Sequence, residues 1–147
     1  MKTVKEIIEA KGNIIWSVTS DTTVYDALKL MAEKQIGAVL VLKDSKVVGI
    51  MSERDYARKV VLQGKSSIQL TVSEIMSDKV MYVDKSQSVE ECLALMINKR
   101  IRHLPVFDSE NLVGFISIGD VVKAIIDEKE FFIDQLVNYI KDTPPIK

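Results

Sequence analysis

The chain repeats itself at a spacing of 65 residues, and this repeat decides which folds are open to it. Residues 49–55, Gly-Ile-Met-Ser-Glu-Arg-Asp, return as residues 114–120, Gly-Phe-Ile-Ser-Ile-Gly-Asp, and 114 − 49 gives 65. Aligned without a gap, residues 18–61 match residues 83–126 at 12 of 44 positions. Ordinary residue usage gives about three matches by chance. The sequence therefore predicts two copies of one structural unit.

The size and charge of the chain limit its class. It has 147 residues, of which 47% are hydrophobic and 28% charged. A unit of about 65 residues would bury only about 60% of its unfolded surface, so we expect the two copies to pack into one domain. The net charge of −1 lacks the positive field that nucleic-acid binding requires. Nucleic acid is therefore not an expected partner.

Neither a membrane nor a redox site is indicated. No apolar run approaches the roughly 20 residues of a membrane span, and residues 1–6 lack the apolar stretch of a signal peptide. We therefore expect a cytoplasmic protein. Cys92 is the only cysteine and His103 the only histidine, which excludes an internal disulfide, a Cys-rich zinc site and a Cys-x-x-Cys redox pair.

Each repeat follows the order strand, helix, strand, strand, helix. Thr23 and Ser88 can cap the first helix of each repeat, and apolar side chains then recur at helical spacing. Those side chains are Val24, Ala27, Leu28 and Met31, then Val89, Cys92, Leu93 and Met96. A β-rich hairpin follows, with strands at 38–42 and 47–51 in one repeat and at 104–107 and 112–116 in the other. The last helix is expected to continue through residue 140.

The boundaries between these parts lie in polar segments. We place the first repeat, with an N-terminal lead-in helix, at 1–62 and a linker at 63–70. The second repeat, with its own lead-in helix, spans 71–126, and a C-terminal helix and tail occupy 127–147. The two lead-in segments, 3–8 and 71–76, are related by a spacing of 68 residues (71 − 3).

Two sequence elements recur in register: a helix that opens with Thr-Val or Ser-Val, and, after the hairpin, the motif Gly-hydrophobic-hydrophobic-Ser-x-x-Asp. In the second repeat a basic loop also precedes residues 104–106, Leu-Pro-Val. Over residues 3–126 this pattern resembles a pair of cystathionine-β-synthase (CBS) domains, as in small stand-alone prokaryotic CBS-pair proteins. The resemblance implies an α+β fold, in which two pseudo-twofold-related βαββα repeats pack into one disc-like module that commonly dimerises.

The resemblance also implies ligands and the residues that hold them. Such modules bind adenosine compounds, most often AMP, ADP, ATP, NAD or S-adenosylmethionine, in clefts between the two repeats. Asp55 and Asp120 would hold ribose, and Ser52 and Ser117 would contact phosphate. The chemistry fits, because a carboxylate accepts hydrogen bonds from vicinal hydroxyls and a helix N-terminus suits a phosphate. The alternative is a helix cap worth about 1 kcal/mol without any ligand.

The two sites are not expected to be equal. Arg54 and Arg58 lie on one face of the helix after Ser52, whereas the second motif has glycine and lysine at these positions. By resemblance, Arg102 and His103 reach the Ser52/Asp55 cleft, and their counterparts in the first repeat are uncharged. We therefore expect the Ser52/Asp55 cleft to dominate.

Adenine needs backbone partners and an apolar slot more than charge. By analogy with the family, the strand ends that contain Val18, Thr19 and Val83 supply the backbone groups.

Catalysis has little support in the sequence. Glu53 and Asp55 are two residues apart, so on a helix they point in different directions, and no metal-ligand spacing appears. Cys92 occupies a core-facing helical position, where it is a small hydrophobe. Phe131, with the apolar residues after it, is expected in a core or dimer contact.

We therefore predict a non-enzymatic regulatory module, forming a homodimer, that binds AMP without a catalytic cofactor and acts on an unidentified regulated protein. NAD or S-adenosylmethionine is the alternative ligand. The other alternative is a ligand-free structural or protein-interaction module.

Overall fold

The computed structural model describes residues 2–12 and 14–142. Within them the helices are α1 (Val4–Lys11), α2 (Val24–Lys34), α3 (Glu53–Tyr56), α4 (Val89–Lys99) and α5 (Ile118–Asp142). The strands are β1 (Ser17–Thr19), β2 (Ala38–Lys43), β3 (Lys46–Ser52), β4 (Val83–Asp84), β5 (His103–Asp108) and β6 (Asn111–Ser117). A π-helical turn (Ala57–Val61) continues α3, and a 3₁₀ turn (Val72–Glu74) precedes β4. The predicted α+β fold with two βαββα repeats and a C-terminal helix is confirmed.

These elements form two compact units. Residues 14–81 form one unit, which we call the central unit because it is the middle segment of the sequence. Residues 2–12 join residues 82–142 in a second, which we call the outer unit because it combines the two flanking segments of the sequence. Each lead-in segment thus belongs with the other repeat. The boundaries predicted from the sequence place α1 with the first repeat and residues 71–76 with the second.

Backbone hydrogen bonds explain this exchange in the outer unit. The Val4 N–H donates to the Gln87 carbonyl at 2.9 Å, and the Val89 N–H donates to the Lys2 carbonyl at 3.0 Å. Ile7 and Ile8 of α1 are buried with the second repeat's core. Because α1 has an apolar stripe and no sheet of its own, it is stabilised by covering the second repeat's sheet.

The central unit has the matching arrangement. The Val72 N–H donates to the Thr22 carbonyl at 2.8 Å, and the Val24 N–H donates to the Leu70 carbonyl at 2.9 Å. Val72 and Ile75 are buried against α2 and the first sheet. The second lead-in segment therefore completes the first repeat's core.

Each unit contains one three-stranded sheet with the same topology. β1 pairs parallel with β2, which pairs antiparallel with β3, and β4, β5 and β6 repeat this order. The register shifts after Val41 in one sheet and after Val106 in the other, at equivalent positions. The last residues of β3 and β6 are Ser52 and Ser117, so each sheet delivers its Ser-x-x-Asp motif to the start of the following helix.

The predicted caps and core faces are present. The side chain of Thr23 accepts from the Asp26 N–H, and that of Ser88 accepts from the Glu91 N–H, both at 3.1 Å. The core-facing positions beneath these caps are buried or partly buried, as predicted: Val24, Ala27, Leu28, Met31, Val89, Cys92, Leu93 and Met96. Local capping and apolar spacing therefore determine where both helices begin and which face each one buries.

The two lead-in segments differ in length. α1 runs for 8 residues, whereas the second segment has only the 3₁₀ turn, so the expected second lead-in helix is much shorter than predicted. The cause is a backbone pair: Ser77 and Ile50 exchange hydrogen bonds at 2.9 and 3.0 Å, which draws the chain into an extended path along β3. In the outer unit, the Phe115 carbonyl at the equivalent position accepts from the Lys11 side chain instead, at 2.9 Å.

The last helix is long and largely exposed. α5 continues through residue 140, as predicted, and its apolar residues beyond position 130 lie in solvent. Residues 143–147 of the predicted tail lie outside the described residues. None of the helices in the described part of the chain is long and apolar enough to cross a membrane.

Candidate functional site

The first Ser-x-x-Asp motif forms a complete capping box at the start of α3. The Ser52 N–H donates to Asp55 Oδ2 at 2.9 Å, and the Asp55 N–H donates to Ser52 Oγ at 3.2 Å. The Ser52 hydroxyl also lies 3.1 Å from Asp55 Oδ2. The hydrogen bonds of a structural cap are therefore made without a ligand.

A lysine forms an ion pair with the other oxygen of the Asp55 carboxylate. Lys59 Nζ lies 3.0 Å from Asp55 Oδ1 and donates to the Ile75 carbonyl at 2.8 Å. The Asp55 side chain is only 14% exposed. Both carboxylate oxygens of Asp55 are thus engaged within the central unit.

The second motif is built the same way with one difference. The Ser117 N–H donates to Asp120 Oδ2 at 2.8 Å, and the Asp120 N–H donates to Ser117 Oγ at 3.1 Å. Lys11 Nζ, from α1, also donates to Asp120 Oδ2, at 2.8 Å. Among the described residues, the hydrogen bonds from the Ser117 N–H and from Lys11 therefore fall on the same oxygen, Asp120 Oδ2. The Asp120 side chain is 28% exposed. Oδ1 is left to accept hydrogen bonds from elsewhere.

Electrostatics keep Asp120 ionised. Burial would raise the pKa of this carboxyl, but hydrogen bonds from Lys11 and Ser117 outweigh burial, and the pKa lies below its ordinary value. A carboxylate that stays charged is the form that accepts hydrogen bonds from hydroxyl groups.

His103 lies beside this second motif and is neutral. It pairs with Ser117 across β5 and β6, and its ring stacks on Phe115 at 5.5 Å between centroids. Burial, with the positive charges of Lys11 and Arg102, lowers the His103 pKa to about 4, against the opposing effect of Asp120. At neutral pH the imidazole therefore offers a hydrogen bond or an aromatic face, and not the positive charge expected from the sequence.

Arg102 also lies next to the second motif. Its carbonyl accepts from the Ile118 N–H, the first residue of α5, at 2.8 Å, and its side chain is exposed. The sequence assigned Arg102 and His103 to the Ser52/Asp55 cleft. Within the outer unit, the chain places both beside Ser117 and Asp120, because β5 and β6 are hydrogen-bonded neighbours.

A cavity opens between α1 and α5 in the outer unit. Its volume is about 250 Å³. Basic and acidic side chains line it together: Lys2, Lys11 and Lys123 with Glu6, Asp120 and Asp127. This cavity gives solvent access to the Asp120 side of the second motif.

The predicted arginines of the first motif are solvent-exposed. Arg54 lies in α3 and Arg58 in the π-helical turn, and both have exposed side chains. Glu53 is exposed too, whereas Asp55 is partly buried, so the two carboxylates point in different directions as predicted.

The strand ends predicted to recognise adenine already use backbone groups in hydrogen bonds within the protein. Val18 pairs with Val41 in the parallel part of the first sheet, and Val83 is buried and pairs with Val106. The Thr19 N–H already donates to Thr22 Oγ1 at 3.1 Å. The Thr19 carbonyl in turn accepts from the Thr22 N–H at 3.1 Å. Both backbone groups of Thr19 are therefore engaged by its own turn, and a ligand would have to share or displace these hydrogen bonds.

The described residues contain no cluster of His, Cys, Asp or Glu that could hold a metal ion. Burial and the neighbouring Glu91 raise the pKa of the Cys92 thiol to about 11, so the thiol is protonated at neutral pH. A buried, protonated thiol is a poor nucleophile.

The sequence missed two lysines that touch the motifs. Lys59 follows Asp55 by four residues, a spacing that pairs opposite charges on a helix and gave a usable signal. Lys11 lies 109 residues from Asp120. No local pattern indicates that contact, because it depends on which sheet α1 covers.

Comparison with known proteins agrees with the repeat and the geometry. The family model of the CBS domain matches residues 4–62 and 72–127. A mitochondrial CBS domain-containing protein of Arabidopsis thaliana, CBSX3, is 37% identical over 149 residues, covering 95% of this chain and 72% of that protein.

Solved structures share the fold. A protein with CBS domains from Burkholderia ambifaria superposes with a TM-score of 0.83 at 55% identity, covering 86% of this chain and 95% of that one. The CBS domain pair of protein MJ0100, solved with 5′-methylthioadenosine and S-adenosyl-L-methionine, has a TM-score of 0.76 at 23% identity, covering 87% and 98%. With both repeats matched by the family model, the chain belongs to the CBS domain family.

Proposed function

We propose that this protein is a regulatory module that binds an adenine nucleotide, AMP by preference, through its two Ser-x-x-Asp motifs. The observation that carries the proposal is the repeated geometry. In each unit a strand ends on a serine, and one helical turn later an aspartate turns its carboxylate back to the start of the helix. Hydroxyl donors and phosphate acceptors of a ribonucleotide match these two groups.

The charge at each motif also suits a nucleotide. Lys59 forms an ion pair with Asp55, and Lys11 forms one with Asp120, so each carboxylate has an ammonium group within 3.0 Å. A phosphate close to an aspartate needs such a cation to offset the repulsion. Neutral His103 beside Phe115 adds an aromatic surface at the second motif.

The first rival is a ligand-free structural or protein-interaction module. Both capping arrangements are complete without a ligand, and this observation favours the rival. The second rival keeps the site but assigns NAD or S-adenosylmethionine. NAD shares the adenosine and first phosphate of AMP. S-adenosylmethionine replaces the phosphate with a sulfonium and an amino acid.

Equilibrium dialysis with AMP tests the proposal. We expect saturable binding to the wild type and at least a tenfold loss in the Asp55→Asn/Asp120→Asn variant, since each lost hydrogen bond to a charged group costs about 1.5–3 kcal/mol. Asp26→Asn is the matched control, because Asp26 also occupies the third position of a helix but follows a threonine cap. No saturable binding of AMP to the wild type favours the ligand-free rival, and unchanged binding in the double variant would mean that the two Ser-x-x-Asp motifs do not hold the nucleotide. Competition by NAD or S-adenosylmethionine identifies the second.

We propose that the partner of α5 is a second copy of this chain. Five apolar side chains that share one face near its end are 40–70% exposed: Phe132, Ile133, Leu136, Val137 and Ile140. At roughly 100 Å² each, they would bury on the order of 500 Å² per protomer, more than half of the ~800 Å² per partner of a stable interface. So much exposed apolar surface on one helix favours a homodimer.

The regulated protein is unidentified, and its control would follow from a ligand that prefers one arrangement of the module over another. A cytoplasmic location and a non-catalytic role stay proposals. The Arabidopsis relative is mitochondrial.

A further inference from the structure

Asp55 and Asp120 differ in how their oxygens are used. At Asp55 the cap takes Oδ2 and Lys59 takes Oδ1. At Asp120 both the cap and Lys11 fall on Oδ2. A diol can therefore donate to Asp120 Oδ1 without breaking an ion pair, and Asp120 is twice as exposed as Asp55.

The lysine at Asp120 has donor capacity to spare. Its ammonium carries three N–H groups. One donates to Asp120 Oδ2 at 2.8 Å and another to the Phe115 carbonyl at 2.9 Å. The same Asp120 oxygen accepts the Ser117 N–H, so the ammonium lies beside the first turn of α5 with one N–H left.

The helix of the second motif lacks two cations that the first motif has. Position 119 is glycine, where the first motif has Arg54, and position 124 is alanine, where the first motif has Lys59. Lys123 keeps the charge of Arg58 and lines the same cavity as Asp120. His103 is neutral at physiological pH. Lys11 thus places an ammonium group on Asp120, as Lys59 does on Asp55.

A difference between the two lead-in segments explains why Lys11 reaches the motif. In the central unit, Ser77 pairs with the backbone of Ile50. In the outer unit α1 stays helical, and Lys11, at its last turn, extends to the equivalent Phe115 carbonyl. The backbone bridge that Ser77 makes in the central unit is thus replaced in the outer unit by a hydrogen bond from the Lys11 ammonium.

We propose that Lys11 is the phosphate-binding cation of the Ser117/Asp120 site, so that the N-terminal helix selects phosphorylated adenosine over adenosine. This assignment rests on the proposed function. The bound ribose would donate to Asp120 Oδ1 while the remaining Lys11 N–H donates to a phosphate oxygen next to Ser117. The N-terminal helix then belongs to the recognition site as well as to the core.

Calorimetric titration with AMP and with adenosine tests the assignment. The variants are made in the Asp55→Asn background, so that the Ser117/Asp120 motif is measured alone. We expect Lys11→Met to weaken AMP binding at least about tenfold, as befits a lost charged hydrogen bond, and to leave adenosine affinity within about twofold. Lys11→Arg keeps the charge and is expected to keep most of the preference for AMP.

Lys5→Met is the matched control, because Lys5 lies on the same helix with a 60% exposed side chain and pairs only weakly with Glu9, at 3.9 Å. Unchanged AMP affinity in Lys11→Met would overturn the assignment. So would an equal loss for AMP and adenosine, which would mean that Lys11 only holds the fold. Failure of the wild type to bind AMP would overturn the proposed function itself, and this outcome is visible before any Lys11 variant is measured.

Discussion

Replacing His103 with glutamine is expected to remove much of the acid sensitivity of this protein between pH 6.5 and 4. His103 has a folded pKa of about 4, against an ordinary value of about 6.5. Because the folded pKa is depressed, the unfolded chain binds the proton first as the pH falls. The contribution of His103 to the free energy of unfolding is therefore fully present above pH 6.5 and is lost as the pH falls toward 4.

The size of the effect follows from the difference between the two pKa values. A shift of about 2.5 units at 1.36 kcal/mol per unit corresponds to about 3 kcal/mol below pH 4. About 2 kcal/mol of this is lost by pH 5. The glutamine side chain stays neutral, so the loss should be absent from the variant, apart from acid effects that both proteins share.

Urea unfolding of both proteins from pH 7.5 to 5 measures the difference. NMR titration of the imidazole reports the pKa directly, because His103 is the only histidine in the chain. Lys11→Met should raise the His103 pKa, since the positive charge of Lys11 is one of its causes. A pKa near 6.5 in the wild type, with parallel pH profiles for the two proteins, would refute the buried environment described for His103.

Further predictions concern packing, capping and assembly. Gly114→Ala should cost about 1–3 kcal/mol in urea unfolding, because its Cβ would lie 2.8 Å from Ile8 Cδ1 and Cγ1; Ile8→Val should recover part of this cost, and no recovery would mean that α1 does not cover this sheet. Gly119→Ala meets only Ser117 Oγ, at 3.5 Å, so it should be neutral or stabilise α5 by up to about 1 kcal/mol, and a clear loss of stability would contradict that open environment. Thr23→Ala should cost about 1 kcal/mol by removing the cap of α2, and an unchanged urea midpoint would show that the cap contributes nothing. Phe132→Asp should convert a dimer to monomer in light-scattering chromatography, whereas a wild type that is already monomeric would end the homodimer proposal.

Local patterns were enough to predict the repeated elements. The caps at Thr23 and Ser88 and the apolar spacing after them depend on neighbours within one or two turns. The hairpins follow from short apolar runs on either side of a polar turn, and their observed ends lie within one residue of the predicted ones. Such features depend only on neighbouring residues, so they can be predicted from a single sequence.

Long-range choices were not predictable in this way. The apolar positions Val4, Ile7 and Ile8 fit either sheet equally well, so the sequence alone did not indicate that α1 joins the second repeat. The contact between Lys11 and Asp120 follows from that choice. The neutral state of His103 likewise depends on burial and on Lys11, which no alignment of the two repeats reveals.

The most direct test of the central claim is a calorimetric titration of nucleotide-stripped wild-type protein with AMP at moderate salt. The account predicts saturable binding of AMP with micromolar affinity. It also predicts a rise in melting temperature at millimolar AMP, because a ligand at about 100 times its Kd adds roughly 2.7 kcal/mol to stability. No heat of binding together with an unchanged melting temperature at millimolar AMP would contradict it.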